Sequence, residues 1–574
     1  MLIQGGTVVD GTGAPGYWAD VRLRDGLIDE VAPALSATPG EEVIEAGGCI
    51  VCPGFIESHT HFDAALWWDG GLDPLPGYGV TTTVMGNCGF SLAPAHEDEA
   101  VRREVVGIFS FFEDIPAAPF FSELPWDWRS WPEYRQSMDR SLKSSVNYTA
   151  FVGHIAIRLA VMGLEAWERV ATDEEIAQMT ALLEEALEAG AIGLSSNLMD
   201  HDGSDRAVPS LVADDREWRA FMEVLARHRG KTLQVIVDTF RALQAPQQVE
   251  HLAEVAGDLP LRIQWAGLPT LQFQKDFGLT EPLARLHEQF KAEGRDYWTA
   301  YAHVPITATI SLKQSLIFAQ SNDYVWHELV QLDSEEDKLA LLQDESWRER
   351  ARHSWDNEVH SFSPMRSNPR GCTLDNSANG TGPVNITLGE FQDQIGAVHP
   401  SDALADWFIA NGLDSTVTIA PFERDQEALE ALLKDPMAVG NVSDAGAHGQ
   451  MMCGAGENIK LFTQFVKESG VLTVEEAVHI QTGRLAAHFE LGDRGVIAAG
   501  KRADVTVVNR EEIDHHHKEK VYDVPTGKGD HTWRWTRAAA PVRYTFVNGE
   551  ATFAGGAATA ARPGGFISTM PIND

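Results

Sequence analysis

The sequence reads as an α/β chain: a (β/α)8 TIM-type barrel with a small β-sandwich domain built from both termini. Three observations predict it. Eight short apolar runs alternate with helical stretches through the middle of the chain. Both ends are instead rich in short β segments split by turns. Several of the eight runs end in side chains able to do chemistry, as strands do at the C-terminal face of such a barrel. Residues 1–54 and 495–574 are assigned to the composite β domain, and residues 55–494 to the barrel.

The N-terminal element Leu2–Val9 is apolar around a Gly-Gly turn, and Ala19–Leu23 alternates with period two. At the other end, Ala503–Asn509 and Pro541–Phe553 are β-rich, the latter with an Asn-Gly hairpin signal. The eight barrel runs are Phe55–Phe62, Thr81–Cys88, Asn147–His154, Ala191–Ser196, Thr232–Val237, Arg262–Gly267, Tyr297–His303 and Ala438–Asp444. Among the helices, Thr172–Gly190 carries its own start and stop: Thr172 can cap, Glu175 completes a capping box, and Gly190 ends it. Two insertions interrupt the alternation. Residues 107–140 are crowded with aromatics, suited to packing on the barrel wall or to forming an apolar lid. Residues from about 311 to 437 exceed one crossover and predict a helical cap, with an acidic helix over Ser334–Asp356.

Composition narrows the function. There are 84 acidic and 45 basic residues, a formal charge of −39, which repels phosphate backbones and anionic membranes. Nucleic-acid and membrane partners are therefore not expected, and no run approaches the ~20 apolar residues of a membrane helix. The first residues, MLIQGGTVVDGTGAPG, lack a basic start and an apolar run, so no signal peptide is expected. Five cysteines do not make a disulfide framework, and Cys49 and Cys52 read as packing. A cytoplasmic enzyme is the expectation, with the oligomeric state left open and a homo-oligomer allowed.

The most informative segment is PGFIESHTHFD, Pro53 to Asp63. Residues i and i+2 of a strand point the same way, so His59 and His61 can grip one metal ion. The second run ends at Asn87 and Cys88, the third at His154 and the eighth at Asp444, so four strand ends bring ligands or proton carriers.

HTHFD, GVTTTVMGNCGFSLAPA, VGHIAIR, EAGAIGLSSN, SDAGAH and GVIAAGKRADVTVVN together resemble the amidohydrolase superfamily, nearest its N-acyl-D-amino-acid deacylase (D-aminoacylase) branch. The resemblance implies a (β/α)8 barrel plus a small β-sandwich, and hydrolysis of an amide by metal-activated water. It implies His59 and His61 as first-strand ligands, and Cys88 as the thiolate that takes the place of a carboxylated lysine. Asp444 becomes the eighth-strand ligand and proton shuttle. The pattern then breaks. The branch draws histidines from the fifth and sixth strands, where this chain has Val235–Ile236 and Gln264–Trp265. Aliphatic side chains have no lone pair to offer, and the tryptophan nitrogen is donor only. One ion is expected: zinc, with iron or manganese able to use nearly the same ligands.

Further candidates stand around that core. His154 is the candidate second electrophile or extra ligand, and Arg158 the fork for a substrate carboxylate. Asn197 and His448 are candidate substrate contacts, Asp63 a partner that orients a histidine, and His303 a rim residue. Cys453 is close enough to SDAGAH to approach the pocket, while His515, His516 and His517 read as incidental surface residues. The predicted reaction is cleavage of a C–N amide bond in an N-acyl-D-amino acid or related N-acylated, carboxylate-bearing small molecule. The alternatives are a metal-dependent lyase or isomerase on a carboxylated substrate, and a metal-free non-catalytic relative.

Overall fold

The computed structural model describes all residues except 203–205, 267–269, 306, 313–324, 330, 331, 333, 358–368, 420–422, 515, 516, 541 and 570–574. The N-terminal strands β1 (Leu2–Val8), β2 (Tyr17–Arg24), β3 (Leu27–Ala32), β4 (Val43–Glu45) and β5 (Ile50–Pro53) come first. Next come the strands that position the site. They are β6 (Phe55–Glu57), β7 (His59–Thr60), β8 (Val80–Met85), β9 (Asn147–Ala150), β10 (Val152–Gly153), β11 (Gly193–Asn197), β12 (Thr232–Ile236), β13 (Arg262–Ala266) and β14 (Tyr297–Ala300). After an inserted sheet of β15 (Thr309–Ile310), β16 (Thr373–Asn376), β17 (Ile386–Thr387) and β18 (Thr416–Thr418), the series resumes with β19 (Ala438–Val439) and β20 (Val442–Ala445). The C-terminal part holds β21 (Val505–Val508), β22 (Lys518–Pro525), β23 (His531–Arg537), β24 (Val542–Val547), β25 (Glu550–Ala554) and β26 (Ala557–Ala558).

Each of the eight apolar runs contains a strand, and every pairing among them is parallel. The first run (β6 and β7), the third (β9 and β10) and the eighth (β19 and β20) are each split in two. Pairing passes from β6 through β8 to β9, then from β10 through β11, β12, β13 and β14 to β19, and β20 pairs back onto β7. Strands covered on both faces read as continuous apolar runs, and β8 is buried from end to end. The first and eighth runs break where the ladder keeps one backbone bond, from the Ser58 amide to the Asn441 carbonyl at 3.2 Å, and side chains add to it. Ser58 Oγ donates to the Gly440 carbonyl at 2.7 Å, and Asn441 Nδ2 donates to the Ile56 carbonyl at 2.7 Å.

Helices supply the crossovers. Between β10 and β11 lie two, which follow three that sit between β8 and β9. In chain order they are α1 (Glu99–Phe112), α2 (Ala118–Ser122), α3 (Trp131–Ser141), α4 (His154–Met162) and α5 (Asp173–Glu188); α6 (Asp215–Arg227) then leads to β12. The capping box of Thr172 and Glu175 opens α5, as the sequence predicts. The aromatic-rich insertion is α1 to α3, and most of its rings do pack: Trp67 stacks on Trp128 at 5.3 Å, and Phe90 meets Phe109 at 5.3 Å.

The second insertion departs from the expected helical cap. Its helices accompany a four-stranded antiparallel sheet in the order β15-β18-β16-β17, around a core of its own that includes Trp326, Trp347 and Trp407. Strands of two to four residues leave too little pattern in a sequence to be seen. The acidic segment splits into two helices, Glu335–Gln343 and Glu345–Asn357, and Trp347 and Trp355 turn inward from the second. Its solvated face is therefore only one side.

Strands from both ends meet in one nine-stranded sheet, ordered β26-β25-β24-β21-β5-β1-β2-β3, with β4 beside β1. The Asn-Gly signal is the hairpin between β24 and β25, with φ of 48° at Asn548 and 83° at Gly549. Asp504 joins this sheet to the strands of the site. Its carboxylate accepts from Asn147 Nδ2 at 3.1 Å and from the Asn548 amide at 2.8 Å, and pairs with Arg494. Both charged partners are buried. Asp504→Ala leaves Arg494 with Asp493 as its remaining carboxylate and strips the Asn147 side chain and the Asn548 amide of an acceptor, and is expected to cost about 1–3 kcal/mol of stability. Urea unfolding reads this directly, and a loss below about 1 kcal/mol would place the seam's strength elsewhere.

Candidate metal centre

His59 is delivered by β7, and His61 follows it one step beyond the strand end; both are buried. Because β20 pairs with β7 in parallel, with Val442 opposite His59 and Ala445 opposite Thr60, Asp444 emerges beside both histidines. Asp444 Oδ1 lies 3.1 Å from His61 Nε2 and 3.6 Å from His59 Nε2. Cys88 Sγ lies 3.1 Å from His59 Nε2 and 3.7 Å from His61 Nε2. Donors about 2.0–2.3 Å from one zinc ion stand roughly 3.3–3.8 Å apart; the separations of 3.6 and 3.7 Å fall in that range and the two of 3.1 Å are slightly shorter, so a small spreading of the side chains would seat a shared cation.

The loop that presents Cys88 is tightly held. Cys88 itself has φ 59°, a conformation a side chain rarely adopts. Gly86 has φ 69°, and a Cβ there would sit 2.4 Å from the Phe151 carbonyl oxygen, so only glycine fits. The Cys88 amide donates to Gln234 Oε1 at 3.1 Å, and its carbonyl accepts from Asn197 Nδ2 at 3.1 Å. The Gly89 amide donates to Ser195 Oγ at 3.0 Å, and the Gly86 amide to Asp63 Oδ2 at 3.3 Å.

One ligand candidate went unseen in the sequence. Glu113 caps the C-terminal end of α1, and its Oε2 lies 3.5 Å from His61 Nε2. Its backbone carbonyl accepts from the His448 amide at 2.5 Å. His448 in turn places Nε2 3.4 Å from Asp444 Oδ2 and 3.9 Å from Glu113 Oε2. Two overlapping triads result, His59–His61–Cys88 and His61–Glu113–Asp444, with His61 common to both.

Electrostatics favour a cation here. Burial, then the neighbouring carboxylates, push Glu113 and the Cys88 thiol well above their ordinary values. Burial pushes the Asp444 carboxyl up too, but bonds to His448 and His61 outweigh it and hold it low. Burial brings His59 down to about 4, which keeps the imidazole neutral, as a ligand must be. Asp200, three residues beyond β11, adds another buried carboxyl, pushed up first by burial. A thiolate and several carboxylates share one buried site stably only around a positive ion, so this donor set fits a divalent metal.

The centre forms the floor of a cavity of about 500 Å³. Ile236 and Ala266, at the ends of β12 and β13, line its wall with Tyr301 and Met452. Those two strand ends therefore present apolar surface where the resembling branch uses imidazoles. Lys518 and Arg537, from the β22–β23 hairpin, line the same cavity, and so do His517 and Cys453. His517 thus reaches the cavity rather than being incidental, while His515 and His516 lie outside the described residues.

Several predicted site residues belong elsewhere. His154 is the first residue of α4, not the tip of a strand, and is fully buried. Its Nδ1 meets Ser196 Oγ at 2.8 Å and its Nε2 meets Glu217 at 2.6 Å, so neither nitrogen is left for a substrate or a metal. Arg158 pairs with the same Glu217, on α6, and donates to the carbonyls of Ala166 and Arg169. Both residues knit α4 to α6 rather than touch substrate. Asn197 is likewise consumed: it holds the Cys88 carbonyl and Asp200, and its Oδ1 accepts from the amides of Met199 and Asp200. It supports the centre from beneath. Asn87 donates to the carbonyls of Thr60 and Val84, and His303 Nε2 donates to the Glu457 carbonyl at 3.1 Å. Asp63 steadies the Gly86 amide rather than a histidine.

Known proteins carry the same frame. Residues 42–553 match the Amidohydrolase family. An uncharacterized protein of Mycobacterium tuberculosis is 30% identical over 569 residues, which is 91% of this chain and 87% of that protein. The D-aminoacylase of Alcaligenes xylosoxydans xylosoxydans is 32% identical over 259 residues, 44% of this chain and 50% of its own. A solved D-aminoacylase superposes with a TM-score of 0.63 at 24% identity over 98% of both chains. N-acyl-D-glutamate deacylase from Bordetella bronchiseptica, solved with zinc and a phosphonate inhibitor, gives 0.64 at 21% identity over 99% of both. At these identities the structural likeness is one of fold. The sequence match spans the strands that carry His59, His61, Cys88 and Asp444, and the chain belongs to the amidohydrolase family, hydrolases of carbon–nitrogen bonds.

Proposed function

We propose that the chain is a single-metal amidohydrolase that deacylates an N-acyl-D-amino acid or a closely related N-acylated, carboxylate-bearing small molecule. The observation that carries it is the convergence of His59, His61, Cys88 and Asp444, of which His59, Cys88 and Asp444 line a cavity walled by apolar side chains. The D configuration rests on relatives such as the D-aminoacylase and the N-acyl-D-aspartate deacylase of Alcaligenes xylosoxydans xylosoxydans. In this reading the eight parallel runs form a (β/α)8 barrel closed by β20 on β7, with the terminal strands as its β-sandwich domain.

The four residues, with Glu113 beside them, would hold zinc, or iron or manganese in its place. Such an ion supplies Lewis acidity, polarising a carbonyl and acidifying water. Asp444 is placed for the proton work. Nearly a third of its side chain (31%) is open, and Oδ2 leans on His448. It takes a proton from the attacking water and returns it to the leaving nitrogen, without which an amine is a poor leaving group. The apolar wall from Ile236 to Met452 keeps bulk water away and strengthens each polar contact on the floor.

The count of one follows from Ile236 and Ala266, which give a second ion no ligand from β12 or β13. In the D-aminoacylase that shares this fold, one metal activates and a second attenuates. Metal analysis of the purified chain is expected to return one ion per chain. His59→Ala should abolish it, and Glu113→Gln should weaken its retention roughly 10–100-fold. Two tightly held ions would refute the single centre.

Asp444→Asn is expected to lower kcat by roughly 10²–10⁴ on the best substrate. An unchanged kcat would remove Asp444 from proton transfer. Free amine should appear from N-acyl-D-amino acids and not from their L enantiomers; silence across both panels would sink the proposed reaction.

A further inference from the structure

The proposed substrate bears a carboxylate, yet Arg158, the residue the sequence offered for it, is sealed against Glu217. The cavity has other cations, and most are committed. Arg537 donates to the carbonyls of Cys453 at 2.7 Å and Ala455 at 3.0 Å, and pairs with Glu457. Lys460 holds the same Glu457 at 2.6 Å. Lys518, at the start of β22, differs. Its ammonium donates to Thr309 Oγ1 and lies 4.4 Å from the centroid of the Trp535 ring. Among the described residues, no carboxylate stands within ion-pair distance of it.

That is unusual in a chain with a formal charge of −39, where surplus carboxylates abound. A largely buried ammonium with no carboxylate in contact is costly, and its solvation is recovered when an anion binds. Asp375 acts on it from beyond contact, but burial outweighs that pull and brings its pKa down to about 8. Its position suits a substrate contact. The Thr309 amide donates to the Met451 carbonyl at 2.9 Å, and the Met451 and Met452 amides donate to the His448 carbonyl at 2.9 and 2.8 Å. Lys518 is therefore fixed, through β15, to the turn that sets His448 against Asp444.

We propose that Lys518 is the carboxylate anchor of the cavity: an N-acyl amino acid sets its carboxylate on this ammonium and its amide over His59, His61 and Asp444. The requirement for an anionic substrate then comes from the C-terminal hairpin rather than from the strand ends of the barrel. The assignment rests on the deacylase reading above. It makes Lys518 a specificity residue with no part in the bond-breaking step.

The test compares wild type, Lys518→Met and Lys518→Arg on N-acetyl-D-leucine and on its uncharged counterpart N-acetyl-D-leucinamide. Loss of a charge-assisted bond is expected to raise KM for the acid roughly 10–100-fold, with kcat nearly unchanged. The leucinamide should be unaffected, and the arginine variant should recover most of the loss. An equal loss on both compounds, or an unchanged KM for the acid, overturns the proposal. Where another N-acyl-D-amino acid is the better substrate, it and its amide replace this pair; if wild type deacylates none, the deacylase reading is what has failed, and Lys518 is judged by calorimetric titration with hexanoate and hexanamide. Hexanoate binding weakened at least roughly 10-fold in Lys518→Met, with hexanamide unchanged, upholds the anchor. Equal hexanoate binding by wild type and variant overturns it.

Discussion

Everything at the candidate site depends on how the first and eighth strands meet. Between β6 and β7 and between β19 and β20 their backbone ladder thins to one bond, from the Ser58 amide to the Asn441 carbonyl at 3.2 Å, and side chains reinforce it: Ser58 to the Gly440 carbonyl, Asn441 to the Ile56 carbonyl. The pairing resumes with a shift between Val442 and Ala445. Asp444 lies within that irregular stretch, at φ 58°, and points to the two histidines instead of following the pleat. A regular pairing would send alternate residues to opposite faces in strict order. The local cost in backbone strain is offset by a carboxylate set beside two imidazoles.

The second determinant is packing at a distance. Glu113 belongs to an insertion, and nothing local requires it to approach His61. Aromatic contacts carry it there: Phe109 packs on Phe90, two residues beyond Cys88, and the Trp128 ring nitrogen donates to the Leu92 carbonyl at 2.8 Å. The bond from the His448 amide to the Glu113 carbonyl then locks the end of α1 to the eighth-strand turn. In this segment the rings are the framework, and a single carboxyl set beside His61 is its product.

What the sequence revealed and what it hid follow from the range of the forces involved. Parallel strands buried on both faces announce themselves as apolar runs, and all eight were legible. His59, His61, Cys88 and Asp444 were legible because each sits at the end of such a run. His154 sits at the end of one as well, but the strand stops at Gly153 and α4 begins, so its side chain turns into the helix layer toward Glu217. Spacing alone does not distinguish those two directions. Glu113 was illegible because its place depends on contacts between segments far apart in the chain. Lys518 was hidden for the same reason, lying in a charged run whose role shows only once the β22–β23 hairpin folds over the cavity. The short strands β15 to β18 were missed because so few residues carry no period.

The sheet made from both ends of the chain also sets an order of assembly. β5 pairs with β21, so residues near position 52 wait for partners near position 506. Closing so long a loop is slow, and during synthesis the first five strands remain without their inner neighbour until almost the whole chain has emerged. The hairpin bearing Lys518 and Arg537 comes later still. A nascent chain can therefore gather His59, His61, Cys88 and Asp444 before the cavity beside them is finished. The cavity is completed only when the last strands arrive, a timing that comes from connectivity alone.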